Sequence, residues 1–568
     1  MKKMYKYLSI LVAISMVTMG CEEDLNVPIE GQIAGNSVPL NSTFIETQVV
    51  SAYALLDGFR PDTGNAIASS PSNWTYGGVT SDNAYKGSEP NDAAVITPIE
   101  FGNTTSVNGY LDGKWKALYE GVARTNITLL SIAQGRESGD LSEAEANQAE
   151  GEMRFLRAHY HFDAKQIWNN IPYITEDITE STTNVGVDSW SAIEADFQYA
   201  VDNLNEDPTR TGGATKAAAQ AYLAKTHLFQ SDYAAAKPLL DAVINSGKHS
   251  LNGRFRDNFD LATENSPEAI FSIQYSVGDG TPQDRNGNWG DILQFHHRGP
   301  VSSCCGFYQP SQNLVNAFKT DASGLPLLDT FNATDVTNDE SVAASDPFTP
   351  YTGQLDPRLD WTVARRGIPF LGYGEFAGVA WVRDPSNGGP YNQIKQVFSA
   401  AERDNASSTA AWTPAVNGLN TNIIRYAQVL LWRAEVAVDE GDLAKALSLV
   451  NEVRNRAALP DNVVRFDNGV PAANYNVQPY STFPDAAFAL KAVKFETRLE
   501  LALEGHRYFD LVRWGDAVQV MNAYLDAEKT KRVHLQAAPG FTETSNYFAI
   551  PQAIIDLSGG LIEQNPGY

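Results

Sequence analysis

Between residues 421 and 459 (TNIIRYAQVLLWRAEVAVDEGDLAKALSLVNEVRNRAAL) apolar and polar positions follow each other more regularly than elsewhere in the chain. Ile423, Ala427, Leu430, Ala434 and Ala437 recur at offsets of four and three, which puts one continuous apolar stripe on a helix face. Gly441 breaks that helix and Asp442 can cap the next. Leu443, Leu447, Val450 and Val453 form a second stripe, ended by Pro460. Two antiparallel helices over roughly 34 residues, with small alanines between them, have the dimensions of a tetratricopeptide unit. Such a unit cannot bury its own faces and needs similar neighbours.

The rest of the chain supplies them. Helical spacing predicts a first helix near residues 46–56, then 115–130 and a long helix over 142–168 that Asn169, Asn170 and Pro172 break. Residues 189–204 and 215–230 follow, continued by 232–245. From 248 to 420 the pattern changes. Gly, Pro, Asn and Asp become dense, strand-like runs appear at 269–275 and 361–364, and only 312–318 looks helical. Helices return at 421–459 and 486–520 and end in 550–557. The expectation is a mostly α fold of four helix pairs (115–168, 189–229 with its continuation, 421–459 and 486–520). Residues 46–568 then form one domain, a helical frame (46–247 and 421–568) split by an irregular insertion (248–420).

Charge removes one class of partner. Forty-two Lys+Arg against 68 Asp+Glu leave a net charge of −26, which repels a phosphate backbone, so no nucleic-acid partner is expected. The first 20 residues read as a targeting segment. Lys2, Lys3 and Lys6 precede an apolar run at 8–17 that is too short to span a membrane, and small Gly20 directly precedes Cys21. The arrangement resembles a bacterial lipoprotein signal, in which the cysteine becomes a diacylated N-terminus, although Thr18 stands where leucine is usual. A plain secretory signal is the alternative. Glu22, Glu23 and Asp24 resemble the acidic signal that sends lipoproteins of Bacteroidetes-type bacteria to the cell surface. Residues 21–45 would then be a tether, with the acyl chains anchoring the protein on the membrane without entry of the chain.

Several motifs occur in order along the chain. They are RFLR at 154–157 followed by AHYHF, TKAAAQAYLA at 215–224, RYAQVLLWRAE at 425–435 and EVRNRAAL at 452–459. ETRLELALEGHRYFDLVRWG at 496–515, AIPQA at 549–553 and QNPGY at 564–568 complete the set. Together they resemble the SusD/RagB family of nutrient-uptake outer-membrane lipoproteins, over almost the whole chain after Cys21. His159 and His161 depart from it, standing where aromatics are commoner. The resemblance implies four tetratricopeptide-like units overlaid by an irregular region. It also implies a surface lipoprotein that captures glycans and acts as the lid of a SusC-like TonB-dependent transporter. Helical units would meet the barrel, and the irregular region with N-terminal loops would carry the glycan site.

No hydrolase elbow, P-loop, dinucleotide fingerprint or HExxH motif is present, so neither cofactor nor catalysis is expected. His159 and His161, two apart on a helix, point about 200° from each other and cannot share a metal. Glu504, His506, Arg507 and Asp510 are expected to form a buried polar network, and Arg358, within DPRL, is expected to be structural. Sugars need flat apolar faces for C–H-rich ring sides and fixed polar groups for hydroxyls. Trp115, Trp168, Trp190, Trp432 and Trp514 fall on helical stretches, whereas Trp74, Trp289, Trp381 and Trp412 lie in polar, glycine-rich loops. Of these, Trp74 with Asp82, Asn83 and Tyr85, and Trp289 with His297 and Arg298, are the favoured glycan contacts. Arg365, Arg366 and Tyr391 add polar candidates from the insertion. With Cys21 lipidated, Cys304 and Cys305 have only each other, and an exported location favours oxidation. Neighbouring Cα atoms across a trans peptide lie about 3.8 Å apart, below the usual disulfide range, so a vicinal bridge would be unusual. The hypothesis is a rigid apolar platform in the sugar site, with Gly306 allowing close backbone access; two free thiols are the alternative. Two rival functions remain open, a surface-anchored glycoside hydrolase and a tetratricopeptide-type scaffold without glycan binding.

Overall fold

The computed structural model describes residues 40–60, 66–178 and 182–568. The signal segment, Cys21 and the tether as far as residue 39 therefore lie outside the described residues. Helix α1 (Ser42–Tyr53) starts where Asn41 accepts a hydrogen bond from the Phe44 N–H at 3.1 Å. It thus takes the last residues assigned above to the tether. The next helices, α2 (Gly109–Ser138) and α3 (Glu143–Trp168), are joined by a four-residue connection that obliges them to run antiparallel. A capping box between Ser142 and Glu145 starts α3. Gly121 lets α2 and α3 close up, since a Cβ there would lie 2.5 Å from the Tyr160 ring.

The frame continues through α4 (Ser189–Asn203), α5 (Lys216–Phe229) and α6 (Tyr233–Asn245). On α5, Ala217, Ala218, Ala221 and Ala224 are buried and bring the neighbouring helices close, while Tyr222 stacks on Phe197 at 4.9 Å. After the insertion come α7 (Tyr426–Asp439) and α8 (Leu443–Ala457), with Asp442 capping α8 through the Lys445 N–H. The segment expected as a helix pair at 486–520 is three helices, α9 (Ala486–Glu500), α10 (Arg507–Arg513) and α11 (Ala517–Glu528). Gly505, at φ +76°, turns the chain between the first two. Among the described residues no helix is long and apolar enough to cross a membrane.

Two antiparallel strand pairs stitch the insertion to the frame, built from β1 (Ala84–Gly87), β2 (Ala269–Ile273), β3 (Phe307–Pro310) and β4 (Thr421–Arg425). A short parallel pairing of Gln354–Leu355 with Asn474–Tyr475 adds a further tie. β2 pairs antiparallel with β4, with Phe271 opposite Ile424 and Ile273 opposite Thr421. Ile423 is therefore a strand residue, not the first member of a helical stripe. The β-branched pair Ile423-Ile424 favours the ladder, and the helix begins only at Tyr426. This pairing closes the insertion at its base and leaves α6 packed against α7, so the helical frame is continuous in space though split in sequence. β1 pairs antiparallel with β3, Tyr85 opposite Gln309, and brings the N-terminal loops onto the insertion.

Beneath the insertion lies a buried ionic network. Arg425 contacts Glu268, Glu500 and Glu504, Arg358 contacts Asp356, Glu496 and Glu500, and Lys395 contacts Glu504. Arg454 and Arg456 of α8 join through Glu496, Glu268 and Glu500. The partners come from the edge of β4, from α8, from α9 and from the insertion itself. Isolated buried charges would cost several kcal/mol each, so removing one partner strands another. Burial alone would raise the Glu504 carboxyl, but Arg425 and Lys395 outweigh it and hold it at about 2. The same competition, won by Arg456, Arg425 and Arg358, keeps Glu500 well below the usual carboxylate range.

Candidate functional site

The loops expected to grip a ligand do converge, but much of what converges is core. Trp74 is 1 % exposed. Its indole N–H donates to the Gly290 carbonyl at 3.2 Å, and its ring packs against Phe307 and Tyr308 at 6.3 and 5.8 Å. The turn that carries it is pressed against the C-terminal helices: a Cβ on Gly77 would lie 1.7 Å from the Gly505 carbonyl oxygen. Trp289 is likewise buried, donating to the Asp284 carbonyl at 3.0 Å and packing on Phe59. These indoles join the insertion to the frame and offer no open face.

Their polar companions are also committed inward. Burial would raise the Asp82 carboxyl, yet Arg498 and Arg507, at 3.2 and 2.9 Å, hold it below its ordinary value. Asn83 accepts from Arg498 at 3.0 Å. Tyr85 donates to Glu528 and accepts from the Gln312 N–H at 3.1 Å, and burial pushes its phenol well up. Tyr391 is buried and donates to Gln312 at 3.1 Å. Arg365 forms a buried bidentate pair with Asp360, both bonds 2.7 Å. Arg366 donates to the carbonyls of Ala343, Ala344 and Asp346 and so closes a turn. In this structure Trp74, Asp82, Asn83, Tyr85, Trp289, Arg365 and Tyr391 are buried structural groups, because their hydrogen-bonding capacity is met inside the fold.

The remaining candidates stand together on the surface. The loop 296–306 is pinched at its neck, where the Ser303 N–H donates to the His296 carbonyl at 3.0 Å and the Gly306 N–H to the Phe295 carbonyl at 2.8 Å. His296 is buried under Phe370 and Phe376 and its Nε2–H donates to the Gln393 carbonyl at 2.9 Å. Burial brings it down to about 4, so it is neutral. His297 is half-buried and its Nδ1 has no partner, while Arg298 is exposed and makes no hydrogen bond or ion pair among the described residues. Burial and the neighbouring Arg383 and Arg298 lower the His297 imidazole.

Cys304 and Cys305 are joined by a disulfide, with Cys305 buried and Cys304 half-buried. Two tryptophans flank this loop. Trp381 lies over Gly299, where a Cβ would come within 2.6 Å of Cδ2; its other support is Phe376, edge-on at 5.2 Å. Trp412 is 64 % exposed, and its neighbour Thr413 is hydrogen-bonded to Ser303, directly before the cysteine pair. Gly306 leaves room below, and a Cβ there would lie 3.4 Å from that of His297 and 3.9 Å from that of Arg383. Arg383 is held by Glu89 and Asp92 and donates to Ser88 at 3.0 Å. The result is a crest bearing His297, Arg298, Cys304, Trp381 and Trp412. It presents indole and disulfide surface beside an unpaired guanidinium, a combination suited to C–H faces and hydroxyls. Trp381 and Trp412 share the loop chemistry of Trp74 and Trp289, and no local signal in the sequence separates the two pairs.

Elsewhere, His159 bonds to Tyr222 and His161 to the Arg157 carbonyl and the Ile174 N–H, so each is satisfied within the frame. Glu504 joins the ionic network, Arg507 holds Asp82 and Asp510 pairs with Arg513, while the His506 Nε2 has no partner. Among the described residues no group of three or more His, Cys, Asp or Glu could hold a metal ion.

Frame and insertion define a class by fold: helical-repeat proteins with a long, loop-rich region inserted into the frame. The chain belongs to the SusD family, whose model matches residues 267–568. A second model, described as "Starch-binding associating with outer membrane", matches residues 43–228. The chain is 26 % identical over 543 residues to SusD-like protein P38 of Formosa agariphila, covering 91 % of this chain and 93 % of that one. Among solved structures it superposes on a laminarin-binding SusD-like protein with a TM-score of 0.66, at 21 % identity, over 93 % of this chain and 100 % of the other. It also matches surface glycan-binding protein A of Bacteroides thetaiotaomicron, solved with laminarihexaose. There the TM-score is 0.62 at 20 % identity, over 92 % of this chain and 99 % of that one.

Proposed function

We propose that this chain is a non-catalytic glycan receptor of the outer membrane. Anchored through an acylated Cys21 and facing outward, it captures oligo- or polysaccharide on the crest and delivers it to a SusC-like TonB-dependent transporter that it covers as a lid. The observation that carries this reading is the crest: Trp381 and Trp412 flank the Cys304–Cys305 loop beside an unpaired Arg298. The two superposing proteins named for laminarin binding and for a laminarihexaose complex support it. The helical frame leaves Val50, Ile127 and Leu130 exposed on α1 and α2, an apolar surface available to a barrel. Glu89 and Asp92, the carboxylates that the crest does contain, are both occupied by Arg383 rather than spaced about a substrate as a hydrolase pair would be.

The test is a calorimetric screen of the soluble protein beginning after Cys21 against laminarin, starch, xylan and alginate. Binding to one of them, weakened by Trp412→Ala and Trp381→Ala without a change in melting temperature, supports the reading. Binding of none, or binding indifferent to both substitutions, overturns it. Incubation with the bound glycan should leave its chain lengths unaltered; shorter products would favour a hydrolase.

A further inference from the structure

The hairpin that supports the crest has a second side. Residues 368–376 fold back on themselves, with the Phe376 N–H donating to the Ile368 carbonyl at 2.9 Å and the Phe370 N–H to the Gly374 carbonyl at 2.8 Å. Phe370 faces the crest, 6.1 Å from the Trp381 ring. Pro369, Leu371 and Glu375 line a groove of about 860 Å³ instead. The far wall is another hairpin, 465–471, in which the Phe466 N–H donates to the Val470 carbonyl at 3.0 Å, and Phe466 lines the groove. At its floor Trp361 is fixed by donation to the Asn462 carbonyl at 2.7 Å and by the Arg254 guanidinium 6.0 Å from its ring.

Carboxylates outnumber guanidiniums in the polar lining, three to two. Glu375, Asp461 and Asp467 are exposed and make no ion pair among the described residues. Of the two arginines present, Arg254 already pairs with Asp257 at 3.0 Å and Arg465 donates to the Gly469 carbonyl at 3.0 Å. Free carboxylates accept strong hydrogen bonds from hydroxyls and repel sulfate or uronate groups at the same distance. The volume falls within the range of about 300–1,000 Å³ common for ligand sites.

We propose that this groove is a second glycan subsite, which takes units of an uncharged polysaccharide further along the same chain that the crest holds. The proposal rests on the glycan-receptor reading above. It makes the preferred ligand long and neutral, and it gives the shared hairpin a binding role on both sides.

The experiment compares laminaribiose, laminarihexaose and laminarin, or the matching length series of whichever neutral polysaccharide binds in the screen. Wild-type affinity is expected to rise with chain length. Phe466→Ala and, separately, Asp467→Ala at the exposed hairpin tip should lower polymer affinity roughly tenfold, as loss of one well-placed contact does, while scarcely affecting the shortest ligand. Trp412→Ala should weaken every length. If both hairpin variants, with wild-type melting temperatures, bind the polymer as the wild type does, the groove proposal falls and the crest reading stands. Tight binding of alginate in preference to neutral chains also overturns it. If no glycan binds the wild type, both fall together.

Discussion

Four tryptophans stand in polar, glycine-rich loops of this chain, and the fold divides them two and two. Trp74 and Trp289 are buried, each with its indole N–H given to a backbone carbonyl from another segment or turn. Trp381 and Trp412 remain at the surface, one resting on Gly299 and the other 64 % exposed. Local sequence is similar; what differs is whether an acceptor and a wall of apolar groups arrive from elsewhere. For Trp74 they come from β1–β3 pairing and from the close approach of residues 72–77 to Gly505, and for Trp289 the apolar neighbour is Phe59 of the frame. A buried pair that holds the insertion down and a surface pair that it holds up, half-buried at Trp381 and exposed at Trp412, are two uses of the same residue.

That contrast can be broken by experiment. The largest effect is expected at the base: Trp74→Ala should destabilise the protein by about 3–5 kcal/mol through the cavity it leaves, seen as a lower urea midpoint, with binding lost only as a consequence. Acid should act on the same base. Glu504 sits at about 2 in the fold against an ordinary 4.5, so the unfolded chain binds more protons between those values. Its stabilisation is complete above about pH 4.5 and is lost as the pH falls toward 2, with Glu500 adding in the same direction. Melting temperature measured from pH 6 downward should therefore drop steeply in that window. At the crest the pattern reverses. Trp412→Ala and Trp381→Ala should each reduce glycan affinity roughly tenfold, about 1.4 kcal/mol, with an unchanged urea midpoint. The smallest effect belongs to the disulfide: Cys304→Ser with Cys305→Ser should weaken binding a few-fold. Thiol titration of the denatured, unreduced wild-type protein should find no free thiol at either position; two free thiols would remove the platform.

Much of the frame was legible because helices announce themselves locally. Alanine and leucine stripes, Asp442 and Gly441 define α7 and α8 to within a few residues, and the density of Gly, Pro, Asn and Asp marks the insertion. The strand Thr421–Arg425 was not, since Ile423 happens to fall in helical register with Ala427 and its partner strand lies far upstream at Ala269–Ile273. The polar network of the EGHRYFD segment could be foreseen in kind, but not that Glu504 would meet Arg425 and Lys395. At the site, His297, Arg298 and Cys304 share one surface loop, as their closeness in sequence implies. The burial of Trp74, Asp82, Asn83 and Tyr85 was not legible, because a polar neighbourhood reports turn chemistry rather than exposure. The hydrogen-bond partners that bury them, Gly290, Arg498 and Glu528, are distant in sequence.

The account turns on the crest being the place where glycan is held. The most direct test is a calorimetric titration, against a polysaccharide that the wild type binds, of the Trp381→Ala, Trp412→Ala double variant. The prediction is that the double variant melts as the wild type does and gives no measurable heat of binding. Undiminished binding by a fully folded double variant would contradict it.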